Sequence, residues 1–328
     1  MKLLILGGTH FVGRAVATEA VARGWEVTVC NRGNRPAPPG TRRLLADRTA
    51  PDGVAALGAP PGGGAWDAVV DTWSDAPRAV LAAARALRPH AGRYVYVSSR
   101  SVYAWPAPAG ATEDAPVVTG APDAGSGEYA ANKRGGELAV REVFGRGDAV
   151  LLRAGLILGP HEDVGRLPWW LHRVARGGPV PAPGPRDLPL QYVDARDLAA
   201  FALHAVERGL AGTYDTVSAP GHTTTGALLD ACVRATGAAA GLRWLDPATI
   251  ADAGVEPWTE LPVWTPPGPF HDALHGADTT RARTAGLRCR PVTDTVTDTW
   301  TWLRHTPDYT PRAPVGLPAS KEPLLLPT

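Results

Sequence analysis

Lysine is nearly missing from this sequence. Thirty arginines and only three lysines, Lys2, Lys133 and Lys321, supply its positive charge. Cysteine is also scarce. Cys30, Cys232 and Cys289 lie far apart with no CxxC pair, which excludes a disulfide frame and suits small core residues in a reducing compartment. No His, Cys and Asp cluster has ligand spacing, so no metal is expected. No apolar run reaches membrane-spanning length, and the opening MKLLILGG is too short for the apolar region of a signal peptide, so the expected location is cytoplasmic. A net charge of +1 gives no electrostatic footprint for a nucleic acid or an anionic membrane. The expected partner is a small-molecule substrate, with a homodimer left open. What is present, 328 residues with 44% apolar and 20% charged, is a globular composition long enough for a large α/β domain with a smaller appendage.

The first half alternates between two periods. Short apolar runs, KLLIL at 2–6, EVTVC at 26–30, AVVD at 68–71 and YVYVSS at 94–99, read as strands buried on both faces. Ala-rich stretches of helical length, 11–24 and 78–87, lie between them. This rhythm predicts βαβ units and a doubly wound parallel sheet of the α/β class, Rossmann in type. A helix over 127–146 leads to another strand, AVLLRAGLIL, at 149–158. Later come helices at 194–209, at 223–237 with threonines available as caps, and near 293–304, a strand at 212–218, and an irregular Pro- and Trp-rich stretch over 254–272. The expected organisation is a dinucleotide-binding core over 1–160, then a mixed segment over 161–310. There a smaller C-terminal α/β substrate lobe is interleaved with core elements returning at 194–218. A Pro-rich, loosely ordered tail is expected over 311–328. Residues 104–126 have no periodicity and are expected to form a lid or a binding loop.

The first strand runs into GGTHFVG, residues 7–13, and then a helix. A glycine turn there aims backbone N–H groups and the positive helix end at a pyrophosphate. The spacing is G-x-x-G-x-x-G with His10 at the middle position, leaving Gly7, Gly8 and Gly13. The second strand ends in VCNRG. Proteins that bind NAD commonly place a carboxylate there for the ribose, whereas this chain has Asn31 and Arg32. A guanidinium suits a 2′-phosphate, and Arg35 stands close by. NADP(H) is therefore the favoured cofactor, with NAD(H) as the alternative. Asp47 is a candidate for the adenine amine. Thr9, Phe11 and Val12 in the turn, with Asp71 and Thr72 after the AVVD run, complete the expected cofactor contacts.

The one interior lysine, Lys133, follows Tyr129 by four residues, so both side chains project from one helix face. A phenol ordinarily titrates near 10, too high for acid–base work at neutral pH. A cation about 5 Å away, at an effective dielectric of about 20, contributes roughly 3 kcal/mol toward the phenoxide. An arginine would bring the charge, but its planar fork cannot replace a compact ammonium that also reaches ribose hydroxyls. Ser98 and Ser99 close a central strand at the sheet edge where ligands bind. A serine there can donate to a substrate oxygen.

Taken in order, GGTHFVG, NRG, VSSRSVY, YAANK and LLRAGLILGP resemble an extended or atypical short-chain dehydrogenase/reductase of the NAD(P)-dependent epimerase/dehydratase type. The resemblance covers residues 1 to roughly 235. It implies a Rossmann sheet with a small C-terminal domain that completes the substrate cleft. It also places Ser99, four before Tyr103, at the catalytic serine/threonine position, Tyr129 as acid/base and Lys133 as its partner. Many sugar-nucleotide epimerases carry an arginine in a segment like RDYIHVxDLA. Here LQYVDARDLA has Leu190 at that position, with Arg186 out of register, which weakens the expectation of a UDP- or dTDP-sugar. The NRG ending resembles atypical members related to chloroplast stem-loop RNA-binding proteins.

Indoles gather in segments expected to border the cleft. Trp73, Trp105, Trp169, Trp258 and Trp264 suit a sugar ring or a flat substrate. His161, Arg166, Arg173 and Gln191 are the polar candidates. Three functions fit: an NADP(H)-dependent reductase or dehydrogenase acting on a small polar metabolite; an epimerase or dehydratase that retains its cofactor; and a nucleotide- or RNA-binding protein without chemistry. The full serine, tyrosine and lysine set argues against the third.

Overall fold

The computed structural model describes residues 1–326 of the chain. At its centre is a seven-stranded sheet with every neighbouring pair parallel. Across the sheet the strands are Arg42–Leu45, Glu26–Asn31, Lys2–Leu6, Ala68–Asp71, Tyr94–Ser99, Ala149–Ala154 and Gly212–Thr216. The chain winds outward in one direction from Lys2–Leu6 and then in the other from Ala68–Asp71, leaving a switch point between those two strands.

The apolar runs are continuous because both faces are covered. Leu3 and Ile5 point into one core with Val16, Ala17 and Ala20 of the helix Phe11–Ala22 and Leu198, Phe201 and Ala202 of the helix Ala195–Glu207. Leu4 and Leu6 point the other way, into a core with the helices Pro77–Leu87 and Tyr129–Phe144. Fully burying such a side chain contributes about 2 kcal/mol. A register slip of one residue would exchange the two faces. The run at 149–158 is not one strand. Ala149–Ala154 belongs to the sheet, while Ile157–Leu158 leaves it to pair with Val193–Asp194. The chain turns away at Gly155, where a Cβ would lie 2.7 Å from the Val217 side chain.

A second core gathers around Trp170 from the helices Arg166–Ala175, Thr225–Thr236 and Val292–Arg304. Thr224 caps the second of these by accepting from the Ala227 N–H at 3.1 Å. The parallel pair Gly178–Pro183 and Ala240–Leu245 closes this lobe. Periodicity missed that pair because GPVPAP reads as a loop. Prolines are tolerated in it because each strand has only one neighbour. The tail was expected to be loose, yet Leu317 and Leu325 are buried in this core, and the Gly316 N–H donates to the Thr259 carbonyl at 2.8 Å. Pro327 and Thr328 lie outside the described residues. No helix among the described residues is long and apolar enough to cross a membrane.

Candidate active site

The glycine turn sits at the switch point. Gly7 and Gly8 have φ of +120° and +77°, which side-chain-bearing residues rarely adopt. A Cβ on Gly7 would lie 2.4 Å from Thr72 Oγ1, and one on Gly13 would lie 2.5 Å from the backbone nitrogen of Gly8. The turn and the helix Phe11–Ala22 are therefore in backbone contact. His10 is the N-cap of that helix in extended conformation, and no side chain caps the first-turn N–H groups. That is the condition in which a helix end accepts an anion. Phe11, Val12 and Gly13 face a cleft of about 600 Å³.

Beside the turn lies a smaller cavity of about 210 Å³, bordered by Thr9, Asn31, Arg32, Arg35, Asp47 and Thr72. Asn31 Oδ1 accepts from the Gly33 N–H at 2.8 Å, while its Nδ2 is buried without a partner. Asp47 accepts from the Thr49 hydroxyl at 2.6 Å and the Thr49 N–H at 3.0 Å, and these bonds hold its carboxyl below its ordinary value. A free amide donor, a poised carboxylate and two exposed arginines fit the ribose end of a dinucleotide. Asp71 does not join them. It is fully buried, gripped by Arg48 through two hydrogen bonds of 2.6 and 2.8 Å, and it accepts from the Tyr94 hydroxyl at 2.6 Å. Its expected cofactor contact is corrected: both oxygens are already bound in the core, with Arg48, a residue the sequence did not flag, between them and the cavity.

The cleft brings Ser99, Tyr129 and Lys133 together with the turn. Ser99 ends its strand with Oγ accepting from the Ser101 N–H at 3.1 Å. Tyr129 opens its helix, is about half exposed, and its hydroxyl makes no hydrogen bond among the described residues. Lys133 lies one turn deeper and is 3% exposed. Its Nζ donates to the carbonyls of Trp73 at 2.6 Å and Val97 at 2.7 Å, which leaves one N–H for a ligand. Burial pushes its pKa down to about 7, against the pull of Asp71 and Glu137. The helix can come this close because of Gly136, where a Cβ would lie 2.3 Å from the Tyr96 hydroxyl oxygen.

Under the floor lies a network that the sequence left unread. Glu137, 0% exposed, receives two hydrogen bonds from Arg153, at 2.8 and 2.9 Å, one from the Ser98 hydroxyl at 2.9 Å and one from Arg134 at 2.9 Å. Burial alone would raise its pKa; Arg153, Ser98 and Arg134 together outweigh this and hold it below its ordinary value. Ser98 is thereby occupied beneath the strand end, while Ser99 faces the cleft.

The substrate candidates divide. Trp105 and Trp258 line the cleft. Trp73 borders the cofactor cavity, and His161 borders a neighbouring hollow with His10 and Arg14. Three expectations are corrected. Arg173 is buried and paired with Glu322. Gln191 is buried and donates to the carbonyls of Ser218 and Ala277 at 2.8 and 3.0 Å. Trp169 packs edge-on against Trp170 in the second core. The partners of Arg173 and Gln191 lie far along the chain, so spacing could not place them. Residues 104–126 are no free lid, since the Gly110 N–H donates to the Gly276 carbonyl at 2.6 Å and the Asp278 N–H to the Ala111 carbonyl at 3.1 Å. Asp163 and Arg312 also line the cleft, the latter from the tail.

A cavity of this form, at the switch point of such a sheet and beside a serine, tyrosine and lysine, defines a dinucleotide-dependent α/β enzyme of the short-chain dehydrogenase/reductase type. Residues 3–217 match the model of the NAD dependent epimerase/dehydratase family, and the chain belongs to that family. No curated protein matches the sequence. Solved structures share the fold across nearly the whole chain. A Thermus thermophilus UDP-glucose 4-epimerase in complex with NAD superposes with a TM-score of 0.65 at 20% identity, covering 93% of this chain and 99% of that one. The Bordetella bronchiseptica enzyme WbmG in complex with NAD and UDP gives 0.66 at 18%, covering 97% and 99%. A Thermotoga maritima UDP-glucose 4-epimerase with UDP-glucose gives 0.67 at 16%, covering 93% and 99%.

Proposed function

We propose that this chain interconverts a carbinol and a carbonyl on a small polar metabolite, with NADP(H) as the exchanging cofactor. The observation that carries this reading is the meeting of Ser99, Tyr129 and Lys133 with the glycine turn in one cleft. Asn31 and Arg32, and no carboxylate, end the second strand at the ribose cavity, which favours the 2′-phosphate form. The first-turn N–H groups of Phe11–Ala22 would hold the pyrophosphate, and the third N–H of Lys133 would hold the nicotinamide ribose. The dinucleotide, when bound, donates or accepts the hydride.

The chain's own groups handle the proton. In the oxidising direction Ser99 Oγ donates to the substrate oxygen and Tyr129, as phenoxide, takes the hydroxyl proton. In the reducing direction the phenol returns it to the forming alkoxide. Lys133, in its protonated form, places a positive charge beside this exchange and sustains the phenoxide. A second reading, a cofactor-retaining epimerase or dehydratase, draws on the family match and on the epimerases that share the fold.

Two measurements test the proposal. Tyr129→Phe is expected to lower turnover by about 10²–10⁴-fold, the usual worth of a general acid–base, while cofactor affinity stays within about threefold, since uncharged contacts contribute little. Unchanged turnover refutes the mechanism. The nucleotide released on denaturing the purified protein separates the two readings. An empty site preferring NADPH supports an exchanging cosubstrate, and stoichiometric bound NAD⁺ or NADP⁺ moves the assignment to the second.

A further inference from the structure

Arg166 differs from the buried arginines of the fold. Arg48, Arg100, Arg153 and Arg173 each meet a carboxylate. Arg166 forms no ion pair, and its guanidinium makes no hydrogen bond, among the described residues; only its backbone N–H is used, donating to Glu162 Oε1 at 2.7 Å. Its Cζ lies 5.0 Å from the centre of the Trp258 ring, and both side chains line the cleft that holds Ser99 and Tyr129.

The support is deliberate in form. Trp258 has φ of +66°, a left-handed backbone that a bulky residue seldom adopts, and its N–H donates to the Trp264 carbonyl at 2.9 Å. The strained residue is the one whose ring lies beneath the cation. No carboxylate among the described residues forms an ion pair with that cation. Glu162 is fully buried, and burial pushes its carboxyl up to about 7, so near neutral pH much of it is uncharged. Asp163 lies 3.8 Å from the exposed Arg312 and 3.7 Å from His10. Burial lowers the Arg166 pKa, against the pull of Glu162, Tyr129 and Asp163. Position 190 supplies no charge, since Leu190 is buried in the second core, and Arg186 pairs with Asp230.

We propose that Arg166 binds an oxyanion of the substrate, a carboxylate or a phosphate, with the Trp258 ring fixing the plane of the guanidinium. The substrate class is then a small hydroxy or keto compound carrying one anionic group close to the reacting carbon. This rests on the cleft being the site of reaction as proposed above. A planar fork with no internal partner matches two oxygens of such a group at once, and the half-buried setting strengthens the pair over its value in water.

The test is binding, with no turnover needed. Protein saturated with NADPH, so that the pyrophosphate site is filled, is titrated calorimetrically with inorganic phosphate and with acetate at constant ionic strength. Saturable binding of at least one anion is expected, weakened at least about tenfold in Arg166→Gln, as loss of a charge-assisted pair requires. Arg166→Lys should recover part of the phosphate affinity and little of the acetate affinity, since a lysine acts as a point charge. Trp258→Leu should fall between, with an unchanged melting temperature for the protein. The preferred anion names the group. Equal affinity in the parent protein and Arg166→Gln, or no saturable binding, overturns the proposal. Because the readout is independent of chemistry, it separates from Tyr129→Phe: intact turnover in that variant removes the mechanism, and equal anion affinity in the parent protein and Arg166→Gln removes only the substrate class.

Discussion

Two groups of arginines stand at the same edge of one sheet. Beneath the cleft, Arg153 is bound to Glu137 and Arg48 to Asp71, all four side chains less than a tenth exposed. Around the rim, Arg32, Arg35 and Arg166 form no ion pair among the described residues and border the two cavities. The residue type is the same. What differs is whether the fold supplies the counter-charge. A buried cation without one costs several kcal/mol, so the lower group had to be balanced within the chain. The rim is wet enough to leave its cations open, and it is there that an anionic cofactor or substrate gains by arriving.

Mutations can break this contrast in order of size. Glu137→Ala strands Arg153 in the core and should lower the unfolding free energy by about 3–5 kcal/mol in urea denaturation. A loss under about 1 kcal/mol would mean that the pair is not holding the floor. The same pair gives a pH signature. Glu137 has its folded pKa held below its unfolded value near 4.5, so its stabilisation is complete above that value and is lost as pH falls through the folded one. The stability difference between the parent protein and Glu137→Gln should thus be flat from neutral pH to about 5 and shrink below that. A difference that grows toward acid would reverse the assignment. The smallest effect on the fold belongs to the rim. Arg32→Ala should leave stability within about 0.5 kcal/mol while weakening NADPH by about tenfold, with NADH changed much less. Equal losses for both nucleotides would remove the 2′-phosphate role.

Much of the fold was readable because it is written locally. Leu3 to Leu6 declare a strand covered on both sides, Gly7 and Gly8 declare a turn that no side chain could make, and Tyr129 with Lys133 declare one helix face. The turn and the Tyr129–Lys133 face meet in the candidate cleft, with Asp71 as the exception. AVVD gives no sign that its carboxylate turns inward to Arg48. On the substrate side, Arg166, Arg173, Gln191 and Trp169 look alike as candidates. Only the first lies in the cleft.

The sequence by itself determined the alternation of strand and helix, the turn at residues 7–13 and the pairing of Tyr129 with Lys133, because periodicity, glycine and a four-residue spacing act through neighbouring backbone. The tertiary structure decided which charges are satisfied. Lys133 finds its carbonyls at Trp73 and Val97, 60 and 36 residues away, and Arg173 finds Glu322, 149 residues away. Such partners are chosen by long-range packing, and no local pattern encodes them; whether an arginine holds the fold or waits for a ligand is therefore settled only when the chain has closed.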